Sequence, residues 1–160
     1  MSTWDNDQFR WRETYFVWFD VAKRPLLTKV EDAVRSLKGH FTLNDAQADE
    51  NGLIESLTVL SSEDHAALEM DYLDGEEIHG EAAAMAAEFK SCDGAEAMRL
   101  SKLKRATARL EIMHFEQIDS ATDDEDADEM FDPSALLIVL EALIKRTDGV
   151  GVDPQSGTLM

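Results

Sequence analysis

The chain has 160 residues, 44% hydrophobic and 31% charged, which is the size and composition of one globular domain. Asp and Glu number 34 against 15 Lys and Arg, giving a formal charge of −19. Such a charge repels phosphate backbones and anionic bilayers, so neither nucleic acid nor a membrane is an expected partner; a basic protein, a cation or a saline solvent is compatible.

Cys92 is the only cysteine, so no disulfide forms within the chain, as suits a reducing compartment. The opening Met1-Ser2-Thr3-Trp4-Asp5 has no basic segment leading into an apolar one, so no secretory signal is expected. The longest apolar run, Ala135 to Leu140, is far too short to span a bilayer. The expected location is the cytoplasm.

Residues 1–13 read as a polar arm carrying Trp4, Phe9 and Trp11, able to dock on the core or on a second subunit. Thr14 to Val21 (TYFVWFDV) is β-branched, aromatic and almost continuously apolar, the pattern of a central strand buried on both faces. After Pro25, Leu26, Leu27, Val30, Ala33, Val34 and Leu37 recur at helical spacing. Thr28 and Glu31 have capping-box spacing, Pro25 is an alternative first residue, and Gly39 is the stop. Phe41 to Ala48 and Leu53 to Leu60 read as strands joined by Asp49-Glu50-Asn51-Gly52, where Asn-Gly predicts a tight hairpin.

Ser61 to Asp64 is a turn, and Ala67 to Leu73 alternates as a third strand of this run, with Leu68, Met70 and Tyr72 on one face. Glu76 to Cys92 predicts a helix with Ile78, Ala82, Met85, Ala86 and Phe89 on one stripe, broken at Asp93-Gly94 and resumed over Ala95 to Arg105. Thr107 to Ile118 reads as a long strand, and 119–131 as an acidic loop. Asp132-Pro133 starts a helix whose Ala135 to Ile144 stretch is apolar almost all round. Thr147-Asp148-Gly149 ends it, and Val150 to Val152 is a short strand before the turn at Asp153 to Gly157.

The order β-α-β-β-β-α-β-α-β specifies a single α+β domain over 1–160: a mostly antiparallel sheet with helices packed on one face. Its opening is similar to a ferredoxin-like split βαβ layout with an extra strand and a C-terminal helix-strand extension. That resemblance is topological and carries no activity.

Few residues point to chemistry. Glu76-x-x-His79 and Glu111-x-x-His114 have a spacing that converges only on a helix; the second pair lies in a strand, where it faces opposite sides. Asp124, Asp126 and Asp128 alternate as candidate cation ligands, but Glu129 and Ala135 stand where an EF-hand needs Gly and Glu. Gln47-x-Asp49-x-Asn51-Gly52 fails at its ends in the same way and is read as the hairpin. Arg99, Lys102 and Arg105, with Lys104 and Arg109, concentrate five basic residues within eleven positions and are the candidate anion site; the competing reading is a basic face that offsets nearby acids.

No nucleophile elbow, phosphate-binding glycine loop, zinc helix or paired Cys-x-x-Cys occurs, so no catalytic residue, metal site or cofactor is expected. If one acid–base pair exists, it centres on His114 and a neighbouring carboxylate. Removing the six acids of 123–129 still leaves −13, so the acidity is mostly distributed. The leading expectation is a non-enzymatic regulatory or protein-interaction domain that self-associates as a homodimer or binds a basic protein. A small-ligand or cation sensor is second, and a hydrolase-type enzyme using Asp, Glu and His is third.

Overall fold

The structure, a computed structural model, describes residues 9–37, 41–61, 66–89, 94–117, 134–154 and 157–160. The predicted arm up to residue 8, the acidic loop with Asp124, Asp126 and Asp128, Cys92, and the Asp132-Pro133 helix start lie outside the described residues.

The strands are β1 (Phe9–Phe19), β2 (Phe41–Ala48), β3 (Ile54–Ser61), β4 (Ala66–Asp74), β5 (Ala108–Gln117), β6 (Val150–Asp153) and β7 (Thr158–Leu159). The helices are α1 (Leu27–Arg35), α2 (Glu76–Ala87), α3 (Ala95–Arg105) and α4 (Ser134–Thr147). All strands form one seven-stranded sheet in the order β2-β3-β4-β5-β1-β6-β7, and every neighbouring pair is antiparallel. The α+β class therefore stands. With strictly alternating directions, β1 and β2 run the same way, and the opening βαβ unit is split by β3, β4 and β5.

The helices cover both faces of the sheet, which corrects the one-sided packing expected from the sequence. Tyr15, Val17 and Phe19 of β1 join Leu57, Val59, Leu68, Met70, Leu110 and Ile112 in a core closed by Val30 and Val34 of α1 and Val139, Leu140 and Leu143 of α4. Trp18, of the opposite parity, joins Val150 and Val152 in a second core closed by Ile78, Ala82 and Ala86 of α2 and Leu103 of α3. Successive strand residues point to opposite faces, so a strand apolar at every position needs a cover on each side.

Several local expectations change. Residues 9–13, expected within the 1–13 arm, form the start of β1, and α2 ends at Ala87 instead of running to Cys92, because the strand pairing with β5 extends back to Phe9 and the chain leaves helical geometry after Glu88. Helix α1 begins at Leu27 with Leu26 as its N-cap and no side-chain cap, not at a Thr28 capping box or at Pro25. The tertiary structure satisfies the exposed groups instead: Leu27 N–H donates to the Gly52 carbonyl at 2.9 Å, and Ile54 N–H donates to the Pro25 carbonyl at 3.0 Å. The hairpin between β2 and β3 is not a two-residue turn. Gly52 has φ +82°, whereas Asn51 does not take a positive φ. Gly52 N–H bonds the Asp49 carbonyl at 3.0 Å, and Asp49 N–H bonds the Leu53 carbonyl at 2.9 Å. This is a turn followed by a glycine in the left-handed region, the next commonest hairpin closure.

Arg24 locks this corner. Its Nε and Nη2 donate to the Ile54 carbonyl at 3.0 and 2.7 Å, and Nη1 lies 3.2 Å from Asp49 Oδ2. Its guanidinium stacks 3.9 Å from the Tyr72 ring centroid. One planar cation thus ties the end of β1 to β3, β4 and the hairpin.

At the other end of α4, Gly149 lies so close to β1 that an added Cβ would meet the Trp18 carbonyl oxygen at 2.4 Å and Thr147 Oγ1 at 2.9 Å. Gly80, inside α2, has open space around it. Gly149→Ala is expected to lower the unfolding free energy by about 1–3 kcal/mol, as overpacking does. Gly80→Ala is expected to raise it by up to about 1 kcal/mol through helix propensity. Urea denaturation midpoints check both.

Candidate functional site

Strand register brings together groups that are far apart in sequence. On the α1/α4 side, β5 presents His114 beside Glu13 of β1 and Leu68 of β4. His114 is 1% exposed. Its Nδ1 lies 3.4 Å from Glu13 Oε1, and the Tyr15 hydroxyl donates to that same oxygen at 2.9 Å. This is the neighbouring carboxylate that the sequence left unidentified. Burial lowers the His114 pKa, opposed by the hydrogen bond and charge of Glu13, so the imidazole is neutral at neutral pH and the contact is a hydrogen bond rather than an ion pair. Burial also raises the Tyr15 pKa, and Glu13 adds to the effect. A general acid or base has to touch its substrate, and a side chain with 1% exposure does not.

The register of β1 slips beside this cluster. Trp11 pairs with Phe115 and Glu13 with His114, leaving Arg12 as the extra residue of a bulge. Arg12 Nη1 lies 3.0 Å from Glu116 Oε2, and Arg10 Nη2 lies 3.3 Å from Glu116 Oε1. Trp11 is 52% exposed, with its Nε1 donating to Thr14 Oγ1 at 3.1 Å.

On the α2/α3 side the central strands carry charge. Arg109 of β5 bridges Glu81 of α2 at 2.6 Å and Glu111 at 2.5 Å, and its guanidinium lies 5.1 Å from the ring centroids of both Phe16 and Trp18. Asp71 of β4 is the register partner of Glu111. Burial first, and then the Glu111 charge, raise the Asp71 pKa. Arg109 is the cation that holds two of these carboxylates, Glu81 and Glu111, against the sheet face, with cation–π contacts adding to the ion pairs. Neither its role nor the Glu81 contact was legible in the sequence, because both depend on where α2 lies over β5.

The candidate anion residues are spread along α3. Lys102 Nζ donates to Asp148 Oδ1 at 2.9 Å and so joins α3 to the end of α4; this contact lowers the Asp148 pKa. Arg105 Nε donates to the Ser101 carbonyl at 3.3 Å, and Arg99 is half-buried nearer the helix start. His79 Nδ1 lies 2.8 Å from the carbonyl oxygen of Ala106, the C-cap of α3, which joins α2 to the end of α3. Glu111 and His114 face opposite sides of the sheet, as their strand placement requires. Among the described residues no group of three or more His, Cys, Asp or Glu is placed to hold a metal ion, and no helix is long and apolar enough to cross a membrane.

The surface has two further features. A cleft of about 370 Å³ runs between α1 and α4, with Ala33, Leu37, Ile138 and Ala142 along its walls and Glu141, Lys145 and Arg146 also lining it. At the sheet margin, β2 offers eight residues with Asn44 to Ala48 all exposed, whereas the opposite margin, β7, has two residues.

Compared with protein-family models, curated proteins and solved structures, the chain matches none.

The Asp71 environment gives a pH-dependent expectation. A carboxyl whose folded pKa lies above its unfolded value costs stability while ionised, and this cost fades as pH falls through the folded pKa. Asp71→Asn is therefore expected to raise the urea midpoint at neutral pH, with an advantage that shrinks as pH falls toward about 4. Equal gains at both pH values would contradict the assignment.

Proposed function

We propose that this chain is a non-catalytic protein-interaction domain that associates with a second copy of itself through the β2 edge. The observation that supports the reading is the asymmetry of the sheet margins: one is eight residues long and exposed over most of its length, and the other is two residues long. An edge strand has a row of unused N–H and C=O groups, and antiparallel pairing with its own copy satisfies them with two-fold symmetry. Asp45 is the only charged side chain among the eight residues of β2, so a chain of −19 meets little repulsion there. Asp45 also has φ +50°, at a register shift between Asn44 and Gln47. That irregularity interrupts the β2 ladder between Asn44 and Gln47, with pairing resuming at Gln47 and Ala48.

Sedimentation equilibrium over a wide concentration range tests this. The expected result is a concentration-dependent dimer. Thr42→Glu with Asn44→Glu sets like charges opposite one another across the two-fold and is expected to weaken the dimer at least about tenfold, with an unchanged melting temperature for the monomer. A wild-type chain that is monomeric at every concentration overturns the reading.

The α1–α4 cleft supports a second reading, a small-ligand sensor, because its volume of about 370 Å³ and mixed apolar and charged lining suit a small organic ion. A thermal-shift panel of amino acids, nucleotides, simple phosphates and divalent cations tests it: a saturable rise in melting temperature abolished by Ala142→Trp supports the cleft, and a flat panel excludes it.

A further inference from the structure

The sequence contains three asparagines, and only Asn51 precedes a glycine; Asn6 and Asn44 each precede an aspartate. A glycine carries no Cβ to hinder its nitrogen from approaching the preceding side chain. Asn51 is exposed at the tip of the β2–β3 hairpin, and its side-chain amide has no hydrogen-bond partner among the described residues. Its Cγ carbon is therefore open to attack by the Gly52 nitrogen.

What opposes that attack is the corner itself. Gly52 N–H donates to the Asp49 carbonyl at 3.0 Å. Asp49 Oδ1 accepts from Asn51 N–H at 2.8 Å and from Leu53 N–H at 3.0 Å, so the residues on both sides of Gly52 are held. Asp49 Oδ2 lies 3.2 Å from Arg24 Nη1, and Arg24 Nε and Nη2 are tied to the Ile54 carbonyl. An N–H engaged in a turn gives up its proton when the turn opens locally. A chain of contacts thus runs from Arg24 through Asp49 to the reacting atoms.

We propose that Asn51 is a site of spontaneous deamidation, with a rate set by Arg24 and Asp49 through opening of the hairpin corner. The deprotonated Gly52 nitrogen forms a bond to Asn51 Cγ, the bond from Cγ to the side-chain nitrogen breaks, and that nitrogen takes up a proton and leaves as ammonia. Water then opens the cyclic imide at either carbonyl, giving aspartate or isoaspartate, with no oxidant or reductant involved. Both products add a negative charge beside Asp49 and Glu50. In isoaspartate the backbone runs through the former side chain and is longer just before Gly52. This displaces the Gly52 carbonyl that Leu27 N–H uses and the bridge between Leu26 and Leu53, so the start of α1 registers the change. The reaction is independent of the association proposed above.

The test is peptide mapping by mass spectrometry of the full chain held at neutral pH, both native and in urea beyond its unfolding midpoint, with isoaspartate confirmed by enzymatic carboxyl methylation. The expected result is conversion at Asn51 with Asn44 unchanged, at a native rate at least about tenfold below the rate in urea. Arg24→Lys keeps the charge but not the planar fork, and is expected to raise the native rate several-fold while leaving the rate in urea unchanged. Asp49→Ala removes the acceptor of Asn51 and Leu53 and is expected to do the same; it carries the test if Arg24→Lys does not fold. Gly149→Ala weakens the fold away from the hairpin, at the contact between β1 and the end of α4, and is expected to leave the native rate near that of the wild type. A native chain with no conversion at Asn51 overturns the proposal. So do equal rates in the native and unfolded chains, conversion of Asn44 alongside Asn51, a native rate that neither corner substitution raises, or a rise in Gly149→Ala as large as that in Arg24→Lys.

Discussion

The burial of β1 on both faces is the constraint from which the rest of the architecture follows. Val17, Trp18 and Phe19 are each almost fully inaccessible, and they point alternately to opposite sides. Burying one such side chain contributes roughly 1.5–3 kcal/mol, and none of that is realised on an uncovered face. A single helical layer would leave half of β1 in water. The chain therefore sends α1 and α4 to one side and α2 and α3 to the other. Gly149 allows the end of α4 to close against the β1 backbone, and Arg24 fixes the corner at which the chain leaves β1.

The charges are arranged around that frame. A chain with 34 acids and 15 bases is short of cations, yet two of them, Arg24 and Arg109, are largely covered. Arg24 neutralises Asp49 while its remaining donors meet a backbone carbonyl and its face meets Tyr72. Arg109 does the same for Glu81 and Glu111 against Phe16 and Trp18. In both places a planar guanidinium offers directional donors at its edge and a flat face for a ring, which an ammonium does not. The clustered basic residues of α3 are more exposed and have a lighter task, with Lys102 joining Asp148 across the surface.

Among the described residues the sheet ends unevenly. The margin at β2 is long and open, which supports association. Among the described residues the first half of β1 pairs with β5 alone, because β6 pairs with it only at Phe16 to Trp18.

How much of this was legible beforehand varies by element. The apolar run from Thr14, the alternation of Leu68 with Met70 and the end of α4 at Thr147 to Gly149 are local patterns, and local propensity and periodicity placed them. The Thr28 cap and the two-residue Asn-Gly turn were equally local readings, and there long-range bonds from Leu27 to Gly52 and from Ile54 to Pro25 prevailed. The sequence by itself determined the α+β class, the central position of β1 and the opposite facing of Glu111 and His114, because each follows from backbone period and side-chain type. Only the tertiary structure decided the strand order, the two-sided helical cover, the pairing of Glu13 with His114 across 101 positions and the placing of Arg109 under α2. Those depend on register and on which strands become neighbours, and a shift of one residue would exchange the two faces of a strand, an outcome fixed by packing across the whole sheet.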